Sequence, residues 1–183
     1  STMKKRELNV RQYRQRVRTM ELSGMSEAQR NECPLERLVS VRNFHLVTYG
    51  LGGTYCREKF TTIKNRKSTK PEGGLWASPV CSNYGWREWC EAESWGDLKS
   101  RFETEFTGRT LVIDSLLDLG GVIWQEDSHG IGYPDYEAML GIGVDSIFLT
   151  EKGQEETRFS HPGLYGYDCE CVLVMNPECI RAR

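Results

Sequence analysis

Glu170 poses the first chemical question in this 183-residue chain. It stands between Cys169 and Cys171, after the loop Gly163-Leu164-Tyr165-Gly166-Tyr167-Asp168 and before the apolar run Val172-Leu173-Val174-Met175. A carboxylate there either solvates the wet end of a strand or is partly buried to a purpose. Beside an aromatic slot it suits glycosidic cleavage, because it can hold a sugar hydroxyl and stabilise positive charge growing at an anomeric carbon. Asp168 precedes it by two residues, and in strand geometry the two acids share a face.

Two earlier segments carry the other candidates. Asn43-Phe44-His45-Leu46-Val47-Thr48-Tyr49 offers His45, Thr48 and Tyr49. Lys70-Pro71-Glu72-Gly73-Gly74-Leu75-Trp76-Ala77-Ser78-Pro79 offers Trp76 and Ser78, and the stretch after it adds Trp86 and Trp89. Tryptophans are more often core than ligand slot, so each of these has a plain packing role as its alternative. Several familiar sites are missing. There is no GxxxxGK[ST] phosphate loop, no HExxH and no GxSxG elbow, and Gly130-Ile131-Gly132 runs into Tyr133-Pro134, which cannot open a dinucleotide-binding helix. The seven cysteines include no CxxC pair, and the Cys and His spacings match no zinc template. No metal is implied.

The elements that must position these residues follow from periodicity and breakers. Residues 4–20 space Leu8, Val10, Tyr13, Val17 and Met20 as the stripe of a basic helix, and Ser26 with Gln29 signals a second helix start before Pro34. Leu35 to Val41 reads as a short helical turn. Asn43 to Tyr49 is a strand bounded by glycines. Residues 64–74 form a basic loop rich in breakers, and Leu75 to Ser78 is a short strand ended by Pro79. Residues 84–95 suit a helix. Phe102 to Phe106 and Thr110 to Ile113 read as two strands, and Ser115–Leu119 and Asp135–Leu140 as helices. The strand Ser146 to Leu149, a loop of about eighteen residues and the strand Glu170 to Met175 complete the chain. This is a β-rich α+β pattern and not a run of βαβ units.

Composition sets the outer bounds. Hydrophobic residues make up 38% and charged residues 27%, enough apolar material for a core. No apolar run is long enough to span a membrane, and the polar, basic opening Ser1-Thr2-Met3-Lys4-Lys5-Arg6 reads as no secretory signal. With an odd number of cysteines and no glycosylation sequon, the chain reads as cytoplasmic with reduced thiols, most of them small buried hydrophobes. The net charge of −2 hides an asymmetry. Residues 1–70 carry 16 Lys and Arg against 6 Asp and Glu, while residues 71–183 carry 8 against 20. The basic part either meets something anionic, nucleic acid first, or folds back on the acidic part. Residues 4–18 and 64–70 are the candidate polyanion contacts.

Taken in order, the three segments resemble the ADP-ribosyltransferase superfamily. Gly74-Leu75-Trp76-Ala77-Ser78 looks like the glycine-led aromatic strand of its poly(ADP-ribose) polymerase-like branch. Tyr84 to Cys90 falls where that branch has a helix with an aromatic over the nicotinamide. Leu164-Tyr165 leading into Glu170-Cys171-Val172-Leu173-Val174 resembles the strand bearing the family's catalytic glutamate. The resemblance covers about residues 43–180.

It implies a split β-sandwich with short helices over residues 43–183, preceded by a basic helical extension over 1–42, and it implies NAD as the cofactor. Glu170 would orient the nicotinamide ribose, and Trp76 would line the slot in place of the usual tyrosine, with Trp86 or Trp89 as the second wall. Asp168 takes the position that helps choose the acceptor in many toxins, where an acid can deprotonate or orient a guanidine or nucleobase amine. The first motif departs from the family, whose His or Arg precedes a Ser or Thr by two positions. Counting back from Thr48, that position holds Leu46, so His45 in a shifted register, or Thr48 and Tyr49, would meet NAD. Small free-standing transferases of this kind are frequently bacterial toxins or phage-encoded effectors, which brings an antitoxin-like partner into view. The implied reaction is mono-ADP-ribosylation of RNA, DNA or a nucleic-acid-associated protein. An NAD glycohydrolase using the same site is one alternative, and a non-catalytic nucleic-acid-binding or inhibitor protein is the other.

Overall fold

A computed structural model of the chain describes residues 35–66 and 70–183. The expected basic helix over 4–20, the helix start at Ser26 and residues 67–69 of the basic loop lie outside the described residues.

The architecture is mixed α and β around a small closed barrel. Strand β1 (Val39–Tyr49) follows a single helical turn, α1 (Leu35–Leu38). It pairs antiparallel with the long β3 (Arg101–Ile113) from Val39 opposite Leu111 to Tyr49 opposite Arg101. Its other edge takes β2 (Leu75–Pro79), with Val47 opposite Ser78. β7 (Cys171–Val174) then lies between β2 and β6 (Ser146–Leu149), and β6 runs parallel to the end of β3 to close the ring. The short β8 (Ile180–Ala182) attaches to β3 at Thr104–Phe106. A separate hairpin is made of β4 (Trp124–Glu126) and β5 (Gly132–Pro134).

Side-chain alternation along each strand divides the apolar residues into two layers. Leu46, Leu75, Ala77, Phe102, Phe106, Val172 and Val174 fill the barrel interior. Leu111, Ile113, Ile147, Leu149, Cys171 and Leu173 face outward into a second layer, where Leu119, Tyr136, Met139 and Tyr167 cover them. β7 is buried on both faces, which is why its sequence is a continuous apolar run.

Four differences from the sequence reading have local causes. β1 begins at Val39, so residues 39–42, assigned above to an N-terminal extension, belong to the barrel. Residues 101–113 form one strand and not two, because β1 pairs along nearly all of it. Gly108 marks a close approach, since a Cβ there would lie 2.8 Å from the Phe106 ring and 2.9 Å from Asp145. The expected long loop contains a helix, α4 (Glu151–Thr157), capped by Thr150, whose hydroxyl accepts from the Gly153 amide at 3.0 Å. Gly153 weakens the helical signal but is required, because a Cβ there would collide with the Ile113 carbonyl. Finally, β7 starts at Cys171, leaving Asp168 to Glu170 outside the strand.

Candidate functional site: an aromatic slot on the barrel wall

A cavity of about 400 Å³ opens against β2, where β1 ends and the segment Tyr167–Cys171 crosses it. Trp76, Trp86 and Tyr167 give it three aromatic walls. Trp76 and Tyr167 meet edge to face with centroids 5.3 Å apart. Trp86 belongs to α2 (Trp86–Glu93) and stacks on Trp89 at 5.1 Å, while Trp95 packs edge-on against both and stays 59% exposed. Trp89 therefore backs the wall without lining the cavity. Among the described residues, its indole N–H is buried and has no hydrogen-bond partner.

Ser78 fixes this wall. Its hydroxyl donates to the Glu170 carbonyl at 3.0 Å and accepts from the Trp86 amide at 2.9 Å. One side chain thus ties β2 to the first turn of α2 and to the segment before β7. Gly85 makes the approach possible, because a Cβ there would come within 2.9 Å of the Ser78 Cβ. Thr48 donates to the Trp76 carbonyl at 2.9 Å and pins the strand that carries the indole. Both hydroxyls line the cavity, and both hydrogens are already committed to protein carbonyls.

Of the residues singled out in the sequence, Thr48, Tyr49, Trp76, Ser78, Trp86 and Asp168 line one cavity. Asp168 pairs with Arg158 at 2.7 Å, both side chains being mostly buried, and the Arg158 guanidinium also lies 4.9 Å from the Phe159 ring centroid. Glu170 is placed differently. Its carboxylate accepts from the Glu151 amide at 2.8 Å, in the first turn of α4, and does not line the cavity. The expectation that Asp168 and Glu170 share a face fails because neither is in the strand, so alternation does not apply to them.

His45 is also elsewhere. It lies on the outward side of β1 with Glu103 and Glu105 of β3, its Nε2 2.8 Å from Glu103 and its ring against the Arg183 guanidinium at 2.6 Å. The face of β1 is set by β3, whose register puts His45 opposite Glu105.

Sequence reasoning missed Tyr167, Lys70, Cys169 and Cys171 as lining residues. The Gly/Tyr-rich run 163–167 was the available signal for Tyr167. Burial pushes the Cys169 thiol up to about 12 and Cys171 higher than its ordinary value, so both are protonated and poor nucleophiles. Among the described residues, no three His, Cys, Asp or Glu side chains gather as metal ligands would. A smaller hollow of about 240 Å³ adjoins the slot through Leu51, Gly74 and Leu75, and Tyr55, Phe60 and Phe102 line it. The two together suit a flat ring with a further group beyond it.

No protein-family model, curated protein or solved structure matches the chain.

Proposed function

We propose that this chain is an NAD-dependent mono-ADP-ribosyltransferase whose nicotinamide slot is the cavity walled by Trp76, Trp86 and Tyr167. The observation that carries this reading is that Thr48, Tyr49, Trp76, Ser78, Trp86 and Asp168, drawn from three separate segments, line one slot. On this reading the barrel is a split β-sandwich whose halves are joined along β1 and β3. The adjoining hollow gives a dinucleotide room for its other end.

In the reaction, the bond between the nicotinamide nitrogen and the ribose breaks, and its electron pair returns to the pyridine ring, which leaves as neutral nicotinamide. The aromatic walls hold that ring, and a carboxylate stabilises the positive charge left on the ribose. Asp168 is the acid placed in the slot. The role that the resemblance assigns to Glu170 requires its carboxylate to leave the Glu151 amide. The acceptor nucleophile then bonds to the anomeric carbon and gives up its proton to a carboxylate. The favoured acceptor is RNA, DNA or a nucleic-acid-associated protein, reached through the basic residues 4–18 and 64–70. Water as acceptor makes the same site an NAD glycohydrolase. The cytoplasm and an antitoxin-like partner belong to this proposal as well. The described residues contain no helix long and apolar enough to cross a membrane.

One observation favours a second reading, a non-catalytic nucleic-acid-binding or inhibitor protein. Glu170 is engaged as a helix cap and His45 sits in an outer ion-pair cluster, so two of the residues the family would use are occupied elsewhere. The test is incubation of the purified chain with labelled NAD and cell lysate, beside Asp168→Asn and Glu170→Gln. Label on one macromolecular fraction, lost in either variant, is the expected result. Nicotinamide release without label identifies water as the acceptor. No nicotinamide release overturns the enzymatic reading and leaves the binding protein.

A further inference from the structure

We propose that Lys70 makes the slot selective for flat rings that carry a phosphate, so that its ligand is a nucleotide and not a free base or nucleoside. The inference rests on the slot being a ligand site, and it holds whether or not NAD is cleaved there.

Lys70 lines the cavity with its ammonium 5.0 Å from the centroid of the Trp76 ring. Among the described residues, no carboxylate pairs with it. The acid nearest in sequence, Glu72, is held by Arg66 at 2.9 Å. The acid that shares the cavity, Asp168, is held by Arg158 at 2.7 Å. The slot therefore contains one cation whose charge nothing described here offsets. Thr48 and Ser78 have committed their hydroxyl hydrogens to carbonyls. The three N–H donors of Lys70 therefore stand beside the Tyr167 hydroxyl, buried without a hydrogen-bond partner among the described residues, as open polar capacity of the lining, and Lys70 alone brings positive charge to it.

The position of the ammonium turns this surplus into selection. A ring that stacks on the face of Trp76 where Lys70 lies displaces its ammonium. A neutral ring then breaks a cation–π contact and replaces it with nothing of the same kind. A ring bearing a phosphate gives the displaced ammonium a charge-assisted hydrogen bond, which is stronger than the contact it left. Lysine suits the exchange, because its compact charge rides on a flexible four-carbon stem and can swing from the indole to an anion. Specificity here is a difference between two affinities, and Lys70 contributes to both sides of it.

The experiment is calorimetric titration of the intact chain with two matched pairs, nicotinamide mononucleotide against nicotinamide riboside and AMP against adenosine. In wild type, the phosphorylated member of at least one pair binds about tenfold tighter, as one charge-assisted contact supplies. In Lys70→Met that preference falls to less than about threefold while nucleoside affinity holds or rises, because the cation no longer covers Trp76. Lys70→Arg restores the preference, and the preference shrinks as salt is added. Lys70→Gln repeats the test should the methionine variant fail to fold. A preference unchanged in Lys70→Met and Lys70→Gln overturns the inference, as does failure of all four compounds to bind wild type. If AMP binds in a Lys70-dependent way and NAD releases no nicotinamide, the transferase reading falls and this one stands. If NAD is cleaved with the same KM in Lys70→Met as in wild type, the transferase reading stands and this one falls.

Discussion

The barrel interior and the slot share strands β1 and β2, and they rely on polar groups to different extents. Inside, Leu46, Leu75, Ala77, Phe102, Phe106, Val172 and Val174 make an apolar cluster, and the buried hydroxyls beside it are few: Thr104 between the two phenylalanines, and Thr110 bonded to Ser146 at 2.8 Å. At the slot, polar groups reinforce an aromatic wall that also packs on the core: Thr48 on the Trp76 carbonyl, Ser78 between Trp86 and Glu170, Arg158 on Asp168. The interior holds the fold together through volume, whereas the slot depends on directed bonds. Apolar packing tolerates exchange of similar shapes, but a hydroxyl that joins three chain segments tolerates no isostere that lacks it.

Substitutions can break this contrast, and the largest expected effect lies inside. Phe106→Ala should cost about 3–5 kcal/mol, because the closed ring has little freedom to collapse around the void. Thermal or denaturant unfolding measures it. A loss under about 1 kcal/mol would mean the interior is not the stabilising layer.

Acid should strike the outer layer next. Burial pushes the His161 imidazole down to about 4 where it packs on Trp124, with ring centroids 4.5 Å apart. In the unfolded chain the same group takes its proton near pH 6.5, so the unfolded state binds more protons between those values. Stability should be level above about pH 6.5 and fall toward pH 4, by up to about 3 kcal/mol from this group. Unfolding of His161→Gln, followed over the same range, should show a shallower fall; equal slopes would remove His161 as the cause.

Ser78→Ala sharpens the comparison at the slot. It removes the partner of the part-buried Trp86 amide and Glu170 carbonyl, and should cost about 1–2 kcal/mol. Ring binding should drop by more than that stability loss explains, because Trp86 is no longer held. An unchanged affinity at a temperature where the variant is fully folded would show that the wall does not need the bond.

The smallest effect is expected on the far side of β1. His45→Ala removes an exposed pairing with Glu103 and should change stability by less than about 0.5 kcal/mol. Ligand binding and any nicotinamide release should stay within about twofold of wild type. A large loss of either would place His45 in the function after all.

Local patterns were legible in the sequence, and long-range decisions were not. The strand Ser146–Leu149 is where its apolar run put it, and helix α3 (Tyr136–Gly141) starts at Asp135, whose side chain accepts from the Ala138 amide. Trp76 and Ser78 share the outward face of β2, as alternation along Leu75–Pro79 requires. The outward placement of His45 was hidden, because β3 sets the register of β1 from some sixty positions away in the chain. The contact that Glu170 makes was hidden for a different reason. Its partner is the first amide of a helix whose glycine and glutamates look like loop, so the residue it caps could not be seen.

The topology also carries a consequence for how the protein is made. β7 is the strand that joins β2 to β6, and it comes after both of them in the chain. A nascent chain can form the β1–β3 pair and seat β6 beside it while β2 still has one edge unmatched. The ring closes, and Ser78 meets Glu170, only after residue 174 has been synthesised. Until then the exposed edges of β2 and β6 invite pairing with other chains, which makes the interval before β7 arrives the period of greatest aggregation risk. The slot thus forms together with the last step of barrel assembly, and a partly made chain has no ligand site to offer.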